Sequence, residues 1–380
     1  MYEKTIHIQQ KIKSMLAEIY KKTILRIQEK IYDYKTIRLD PSEWVEQNIY
    51  MTGAESNYPG FLKYSRSPWT REIIDALSPN SGYEMVVGMK NNQSGFTSTV
   101  LIPYICYTIS EFPANMMFVS GTEDLAKDTV RDKLDPVIQN SGLSHLIRSS
   151  DTRRRNKRTG NTDSKKEFAG GTLNIGSYKP SNLRMHSVKI ILADEFDDAV
   201  TSDKKEGNIR TLLENRTTAF PGTKKILYLS TPTIQGGSNI EKVFDLTDKR
   251  HWHWKCPHCK EFIDVLWSVE REDGTFGGIK YELDERNELI ESSIHYECQK
   301  CKGKILEKEK HHLNASGVWI PTCKPQRPEY VGYQPNAIFT FDTWRELVFK
   351  WLEANPPGQP SDHDALKAFV NTKLAQTSYA

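Results

Sequence analysis

The chain has 380 residues, and its 52 Lys and Arg residues are nearly balanced by 49 Asp and Glu residues, which leaves a formal net charge of +3. This balance excludes a protein that is basic over its whole surface, and the length exceeds that of one typical domain. No apolar run approaches the roughly 18 residues of a membrane span, and the charged N-terminus is unlike a signal peptide. We therefore expect an intracellular protein with no membrane partner.

The N-terminal 40 residues predict a helical segment. Apolar residues recur at helical spacing from Ile6 to Ile27, with basic residues between them. Pro41 begins a further helical piece, and a loop over 58–70 leads into a helix over 71–77. The simplest interpretation is that the first segment packs on a core.

An altered phosphate-binding loop follows the first core strand, 84–88. The usual pattern, Gly-x-x-x-x-Gly-Lys-Ser/Thr, places a lysine before the final hydroxyl residue. Here Gly95 and Thr97 hold the last positions, but Phe96 replaces the lysine and Lys90 stands at the front of the loop. Because a lysine side chain is long and flexible, we predict that Lys90 brings its charge to the β- and γ-phosphates from the other end. An ordinary strand-to-helix turn is the alternative.

The whole loop is predicted to bind ATP through backbone N–H groups, the lysine and a hydroxyl that ligates Mg²⁺. The predicted nucleotide-binding residues are Lys90, Asn91, Asn92, Gln93, Ser94, Gly95, Phe96 and Thr97, and Thr97 is the predicted magnesium ligand.

A strongly basic stretch occupies 148–166, with almost no apolar residues, which predicts a mobile loop. Its basic residues are Arg148, Arg153, Arg154, Arg155, Lys157, Arg158, Lys165 and Lys166. One interpretation is a solvated insertion. The other is a loop that contacts DNA phosphates, chiefly through the five basic residues between Arg153 and Arg158.

Two further strands end in residues suited to ATP hydrolysis. The apolar strand 188–193 ends in Asp194 and Glu195, which we predict to hold Mg²⁺ and to polarise the attacking water. The strand 225–229 is followed by Ser-Thr-Pro-Thr, in which Thr231 is predicted to sense the γ-phosphate. Either ending also occurs as an ordinary strand-to-loop junction.

The strands alternate with helices, which predicts an α/β fold with a mostly parallel sheet flanked by helices. The strand candidates are 84–88, 115–120, 172–176, 188–193 and 225–229, and helices are predicted to start at Thr97, Thr122 and Lys204. Ligands of such sheets bind at the carboxyl ends of the strands, where the predicted site residues lie.

Two Cys-x-x-Cys pairs predict a structural zinc site. The four ligands are Cys256, Cys259, Cys298 and Cys301. Four thiolates leave no coordination position open for catalysis, and the intervening strand-like segments suit a ribbon hairpin. Beyond the ribbon the chain is predicted to be helical, and its carboxylates after Asp342 are too scattered to predict a nuclease site.

The order of these motifs is specific to one branch of a known family. The motifs are the loop 90–97 with its leading lysine, the strand ending in Leu-Ala-Asp194-Glu195-Phe-Asp197, the segment 230–233, and the Cys-Pro-His-Cys segment from Cys256 to Cys259. From about Pro41 onward the chain resembles the lambda-type large terminase subunit of tailed bacteriophages, without its nuclease domain.

The resemblance implies a P-loop fold of the RecA-like ASCE type and a motor that uses ATP to drive double-stranded DNA into a procapsid in the host cytoplasm. Its implied partners are double-stranded DNA, the small terminase subunit, the portal protein and further copies of the chain in a ring. Trp69 lies where related motors cover the adenine base. Related loops often carry an arginine where this chain has Gln93, so the charge-stabilising arginine is unassigned. Its candidates are Arg131, Arg210 and Arg216.

The predicted organisation is an N-terminal helical segment over 1–40, an ATPase core over 41–249, a zinc ribbon over 250–325 and a helical segment over 326–380. Two alternatives to a packaging motor stay open. One is a helicase-like ATPase that acts on nucleic acid. The other is a non-enzymatic zinc-ribbon module that binds DNA and has lost its nucleotide site, as Phe96 in the lysine position suggests.

Overall fold

The computed structural model of the chain describes Thr23 and residues 39–148, 162, 164–183, 187–199 and 208–379. Three predictions lie outside the described residues: the helical segment over 1–38 apart from Thr23, the helix start at Lys204, and the five DNA-contacting residues. These five are Arg153, Arg154, Arg155, Lys157 and Arg158. By its contacts the chain divides into two units, Met1–Asp40 and Pro41–Ala380, and the second is described below. In the described ranges, no helix has both the length and the apolar character needed to cross a membrane.

Short strands and helices alternate along this unit. The strands are β1 Tyr50–Met51, β2 Gly60–Phe61, β3 Met85–Met89, β4 Met116–Ser120, β5 Lys165–Phe168, β6 Gly171–Ser177, β7 Ile190–Ala193, β8 Lys225–Ser230, β9 His251–Lys255, β10 Phe262–Asp264, β11 Ser268–Glu270, β12 Phe276–Leu283, β13 Leu289–Glu297, β14 Lys304–Ile305, β15 Val318–Ile320 and β16 Tyr330–Tyr333. The α-helices are α1 Pro41–Asn48, α2 Pro68–Ala76, α3 Ile102–Glu111, α4 Glu123–Thr129, α5 Asp135–Asn140, α6 Pro180–Leu183, α7 Ile209–Glu214, α8 Asn239–Phe244, α9 Lys310–Ala315, α10 Trp344–Ala354 and α11 His363–Thr372.

A seven-stranded sheet forms the core, in the order β16-β3-β8-β7-β4-β6-β5. All neighbouring strands in it are parallel except β5 and β6. The residues of β3, β4, β7 and β8 are buried throughout, as expected of strands that helices cover on both faces. The predicted α/β class and all five predicted strands are therefore confirmed.

Both edge strands of the sheet differ from the sequence prediction. Lys165 and Lys166 lie in β5 and not in a mobile loop, because Lys166 is buried and its ammonium is 2.7 Å from the carboxylate of Asp135. On the other edge, β16 lies in the predicted helical C-terminal part of the chain and pairs with β3. A four-residue strand has too few residues to show a clear alternation.

Two smaller sheets form the ribbon. One has the order β10-β9-β15, and the other has the order β11-β12-β13-β14 with the hairpin β12-β13 at its centre. Helices α10 and α11 follow β16, which confirms the predicted helical character of that part of the chain. Trp351 of α10 packs 5.5 Å from Trp267 of the ribbon and 5.5 Å from Phe369 of α11, measured between ring centroids.

Candidate nucleotide site and metal centre

The carboxyl ends of three adjacent strands bring the predicted nucleotide-binding segments together. Strand β8 lies between β3 and β7, and its parallel register places Met89 opposite Ser230 and Tyr228 opposite Ala193. The phosphate-binding loop begins directly after Met89, and the acidic pair begins directly after Ala193. The Ser-Thr-Pro-Thr segment begins at Ser230 itself. The sheet therefore collects all three motifs at one edge.

Lys90 lies at the centre of this edge. Its buried ammonium is 2.9 Å from a carboxylate oxygen of Glu195 and 3.8 Å from one of Asp194. Burial has the largest single effect on the lysine and lowers its pKa, but the two carboxylates together raise the pKa above its ordinary value. The lysine is thus held charged beside the two residues predicted to bind Mg²⁺ and to activate water.

Asp194 is buried, and burial raises the pKa of its carboxyl group, while the nearby Lys90 acts in the opposite direction. One of its carboxylate oxygens accepts a hydrogen bond from the Glu195 N–H at 3.1 Å. Its backbone carbonyl accepts a hydrogen bond from the hydroxyl of Tyr178 at 2.7 Å. A buried carboxylate held beside a cation suits a magnesium ligand, because oxygen donors are those that Mg²⁺ prefers.

Glu195 has a left-handed backbone conformation, with φ of 50°. A residue other than glycine rarely adopts this conformation without a local constraint, and such residues cluster at functional sites. Its side chain is 37% exposed, so water can reach the carboxylate. In this structure one oxygen of the Glu195 carboxylate is engaged by the ammonium of Lys90 at 2.9 Å.

The phosphate-binding loop turns twice through left-handed residues, Gln93 with φ of 57° and Gly95 with φ of 86°. Within the described part of the chain, the backbone N–H groups of Ser94 and Gly95 donate to no acceptor. Unpaired N–H groups in such a turn before a helix form a nest for an anion. A side chain at Gly95 would also come within 2.9 Å of Phe341.

Phe96, in the usual lysine position, points into the core. It is 1% exposed, and a Cβ placed on Gly88 of β3 would lie 2.9 Å from its ring. Its side chain fills space above the sheet, so only its backbone faces the loop. Thr97 is half-buried at the start of a π-helical turn, Thr97–Leu101, which leads into α3. Turns of this kind are frequent at functional sites.

The front of the loop is anchored to residues late in the chain. The N–H groups of Asn91 and Asn92 donate to the carbonyls of Pro335 and Thr372 at 3.3 and 2.8 Å. The Asn91 side-chain amide donates to the hydroxyl of Thr340 at 3.0 Å. The side-chain oxygen of Asn92 accepts a hydrogen bond from the Thr231 hydroxyl at 2.8 Å. The predicted γ-phosphate sensor is therefore bonded directly to the loop.

Trp69 supports the loop from behind. It is 2% exposed, and its indole N–H donates to the carbonyl of Ser94 at 3.2 Å. Its ring lies 5.1 Å from that of Phe341, which is 51% exposed. Phe341 forms a wall of a cleft of about 400 Å³ beside Gly95 and Thr99. Nothing in the sequence pattern singled out Phe341, because it lies far from the loop in the chain.

The three candidate arginines differ in their surroundings. Arg131 is the most exposed and pairs with Asp128 and Asp132 at 2.8 Å each. Arg210 pairs with Glu214 at 2.6 Å in α7. Arg216 lies in a short 3₁₀ turn, Asn215–Thr217, after α7.

The four predicted zinc ligands form one cluster, in which all four sulfur atoms lie within 4.8 Å of one another. Cys256 and Cys301 have their sulfurs 3.8 Å apart, and the sulfurs of Cys259 and Cys298 are 4.0 Å apart. Zinc bonds of about 2.3 Å in a tetrahedron require sulfurs about 3.8 Å apart, so the donor set fits Zn²⁺.

Both knuckles use the same backbone pattern. In the first, the N–H of Lys260 donates to the carbonyl of Cys256, and in the second, the N–H of Lys302 donates to that of Cys298, each at 3.0 Å. Both lysines have a left-handed backbone, with φ of 64° and 60°. In the absence of a cation, burial raises the pKa of the Cys298 thiol to about 12, so metal binding has to displace its proton.

One family model agrees with these observations. Residues 56–319, more than half of the chain, match the model of the family described as phage terminase large subunit gpA, ATPase domain. Among solved structures, the ATPase domain of the Thermus phage P74-26 large terminase is 13% identical with a TM-score of 0.44, and the match covers 90% of this chain and 100% of that one. The large terminase of bacteriophage HK97 is 12% identical with a TM-score of 0.38, over 50% of this chain and 37% of that one. A comparison with curated proteins finds no match.

Proposed function

The chain belongs to the family of phage terminase large subunits, through their ATPase domain, and from this premise we propose that the edge of the sheet around Lys90 hydrolyses ATP to drive double-stranded DNA into a procapsid. The observation that carries the assignment is the ammonium of Lys90 between the carboxylates of Asp194 and Glu195, beside the free N–H groups of the loop. Family membership favours the packaging motor over the helicase-like and non-enzymatic alternatives.

In the proposed cycle, the triphosphate of ATP enters the nest at Ser94 and Gly95 and competes with Glu195 for Lys90. Once the lysine turns to the phosphates, the carboxylate of Glu195 is free to orient and polarise a water molecule. Thr97 and Asp194 would hold Mg²⁺, which neutralises charge on the phosphates. Thr231 lies on the loop side of β8 and would report the γ-phosphate through Asn92.

For the adenine base, we propose the cleft beside Phe341. Trp69, the residue expected from the resemblance, is covered by this ring and by the loop. It would therefore support Phe341 and not contact the base itself. Exposed aromatic rings stack on bases with about 1–3 kcal/mol per base. Replacing Phe341 by Ala should therefore raise the KM for ATP but leave inhibition by inorganic tripolyphosphate, which has no base, unchanged. Equal losses for both would exclude a base-binding role.

The remaining features suit the same motor. We propose that Cys256, Cys259, Cys298 and Cys301 hold a structural Zn²⁺. Arg153, Arg154, Arg155, Lys157 and Arg158 are proposed to contact DNA phosphates, and neutralising three of them should flatten the salt dependence of duplex binding by up to about three charges. The proposed partners are the small terminase subunit, the portal protein and further copies in a ring, in the host cytoplasm. Cleavage of DNA is not expected from these residues.

ATP binding to the Lys90→Ala variant tests the proposed site. We expect most binding to be lost, because backbone N–H groups alone would have to hold the charged phosphates. Lys127→Ala, which removes a half-buried lysine paired with Glu123 away from the loop, should bind normally. Equilibrium dialysis with labelled ATP measures both. Near-normal binding and hydrolysis in Lys90→Ala would show that the cation comes from elsewhere.

A further inference from the structure

The segment between β8 and α8 is held at two points. At its start, the Thr231 hydroxyl is bonded to Asn92 of the phosphate-binding loop. Further along, the segment is held by Asp197, the last residue of the acidic motif, to which the sequence analysis gives no role. Asp197 lies only two residues after Glu195, so the second attachment is close to the predicted catalytic base.

The carboxylate of Asp197 accepts three hydrogen bonds. One oxygen accepts from the Thr233 hydroxyl at 2.6 Å, and the other accepts from the Ser238 hydroxyl at 3.0 Å and from the N–H of Ile240 at 2.7 Å. Its own N–H donates to the hydroxyl of Ser230 at 3.1 Å. Hydrogen bonds to an ionised carboxylate are stronger than neutral ones, so this residue joins the acidic turn to both ends of the segment.

The turn that carries Asp197 is short and stiff. It is a single 3₁₀ turn, Phe196–Asp198, which follows the left-handed Glu195. Phe196 is 2% exposed, and its ring lies 4.6 Å from that of Tyr228 in β8. Glu195 and Asp197 therefore lie two residues apart at one short turn, which Phe196 fixes in the core.

We propose that Asp197 is a positioning residue that sets the orientation of Glu195 according to the position of the segment 231–238. The proposal rests on the proposed ATPase function. A γ-phosphate at the loop fixes Thr231 and, through Thr233, holds Asp197 and Glu195 in the orientation that polarises water. After the phosphate leaves, the same bonds carry the movement of the segment to the catalytic base.

The test measures kcat for ATP hydrolysis and the Kd for ATP in Asp197→Asn and Thr233→Val. We expect kcat to fall about 10- to 100-fold, as a misplaced catalytic group causes, with the Kd changed less than about threefold. The double variant should be no slower than the slower single variant, because both changes break one connection. Thr233→Ser, which restores the hydroxyl, should recover most of kcat.

Asp198→Asn is the matched control, since this neighbouring carboxylate is exposed, and it should keep a near-normal kcat. Thr233 is also exposed, so its variants test the connection even if Asp197→Asn does not fold. The inference is wrong if Thr233→Val keeps a normal kcat, or if Thr233→Ser is as slow as Thr233→Val. Failure of the proposed function itself is distinguishable, because the wild type would then not hydrolyse ATP.

Discussion

The nucleotide site and the metal centre both bring acidic side chains close together, but they differ in the source of the compensating positive charge. At the candidate metal centre, four like groups converge within 4.8 Å of one another. At the nucleotide site, Lys90 already neutralises the two carboxylates from within the chain. The proposed zinc would therefore complete the first site, whereas at the second site the chain itself supplies the cation, which the ligand has to displace. We expect ligand removal to unfold one and to leave the other intact.

Loss of zinc should have the largest effect. A Cys298→Ser variant should lose the bound zinc, about one ion per chain in the wild type, and with it the folded ribbon, because metal binding contributes about 10 kcal/mol or more to the folding of small zinc modules. Metal analysis and limited proteolysis of the segment 250–325 measure both. Cys323→Ser, which changes an exposed cysteine outside the cluster, is the control. A metal-free Cys298→Ser variant with an intact ribbon would show that the ribbon folds without zinc, so the two sites would not differ in their need for a ligand.

Glu195→Gln should have the next largest effect. The amide keeps the shape of the side chain but cannot accept a proton, so turnover should fall by about two orders of magnitude or more. ATP should bind at least as tightly, because Lys90 loses a charged competitor for the phosphates. Turnover and equilibrium binding are measured together, with Glu123→Gln at the same edge of the sheet as the control. Joint loss of binding and turnover would make Glu195 a structural residue.

The smallest effect concerns the cost of burying Asp194. Because burial raises its pKa, the folded protein binds this proton more tightly than the unfolded chain, and wild-type stability falls as the pH rises from about 4 through the raised pKa. Asp194→Asn lacks this titration, so its melting temperature should rise relative to that of the wild type as the pH increases over that range. A tenfold difference in proton affinity corresponds to about 1.4 kcal/mol.

Glu167→Gln is a control with the opposite sign. A hydrogen bond from Lys165 lowers the pKa of Glu167, so the wild type should lose stability relative to this variant as the pH falls. Thermal melts over a pH series compare the two variants. If the difference in melting temperature between Asp194→Asn and the wild type does not change with pH, Lys90 fully compensates the burial of the Asp194 carboxylate.

The two sites also differ in how far they can be predicted from the sequence. Each Cys-x-x-Cys pair is local, so its spacing alone identifies the four candidate zinc ligands, which the structure brings into one cluster. The apolar strands and the residues that end them are local as well, and these place Lys90, Asp194 and Glu195 at one edge. In both cases the decisive contacts follow from short stretches of chain and from the rule that parallel strands align their carboxyl ends.

The rest of the nucleotide site depends on distant contacts. The anchors of the loop at Pro335 and Thr372, and the ring of Phe341 over Gly95, come from beyond the ribbon. Asp197 is one of several acids in its turn, and its partners are fixed only when α8 packs on the sheet. No periodicity or spacing in the sequence encodes such pairings, because they arise from tertiary packing.

Because residues late in the chain anchor the phosphate-binding loop, the direction of synthesis determines when this loop can be completed. A ribosome releases Lys90 and Glu195 well before Pro335 and Thr372, so the ATP-binding loop waits for its anchors until the ribbon has been synthesised. Pairing of β16 with β3 then requires the intervening chain to fold back, which is slow when that chain is disordered. If the ribbon folds only around the proposed zinc, a cell short of zinc would accumulate chains with an unfolded ribbon and an unfinished ATP-binding loop, although the two sites share no residue.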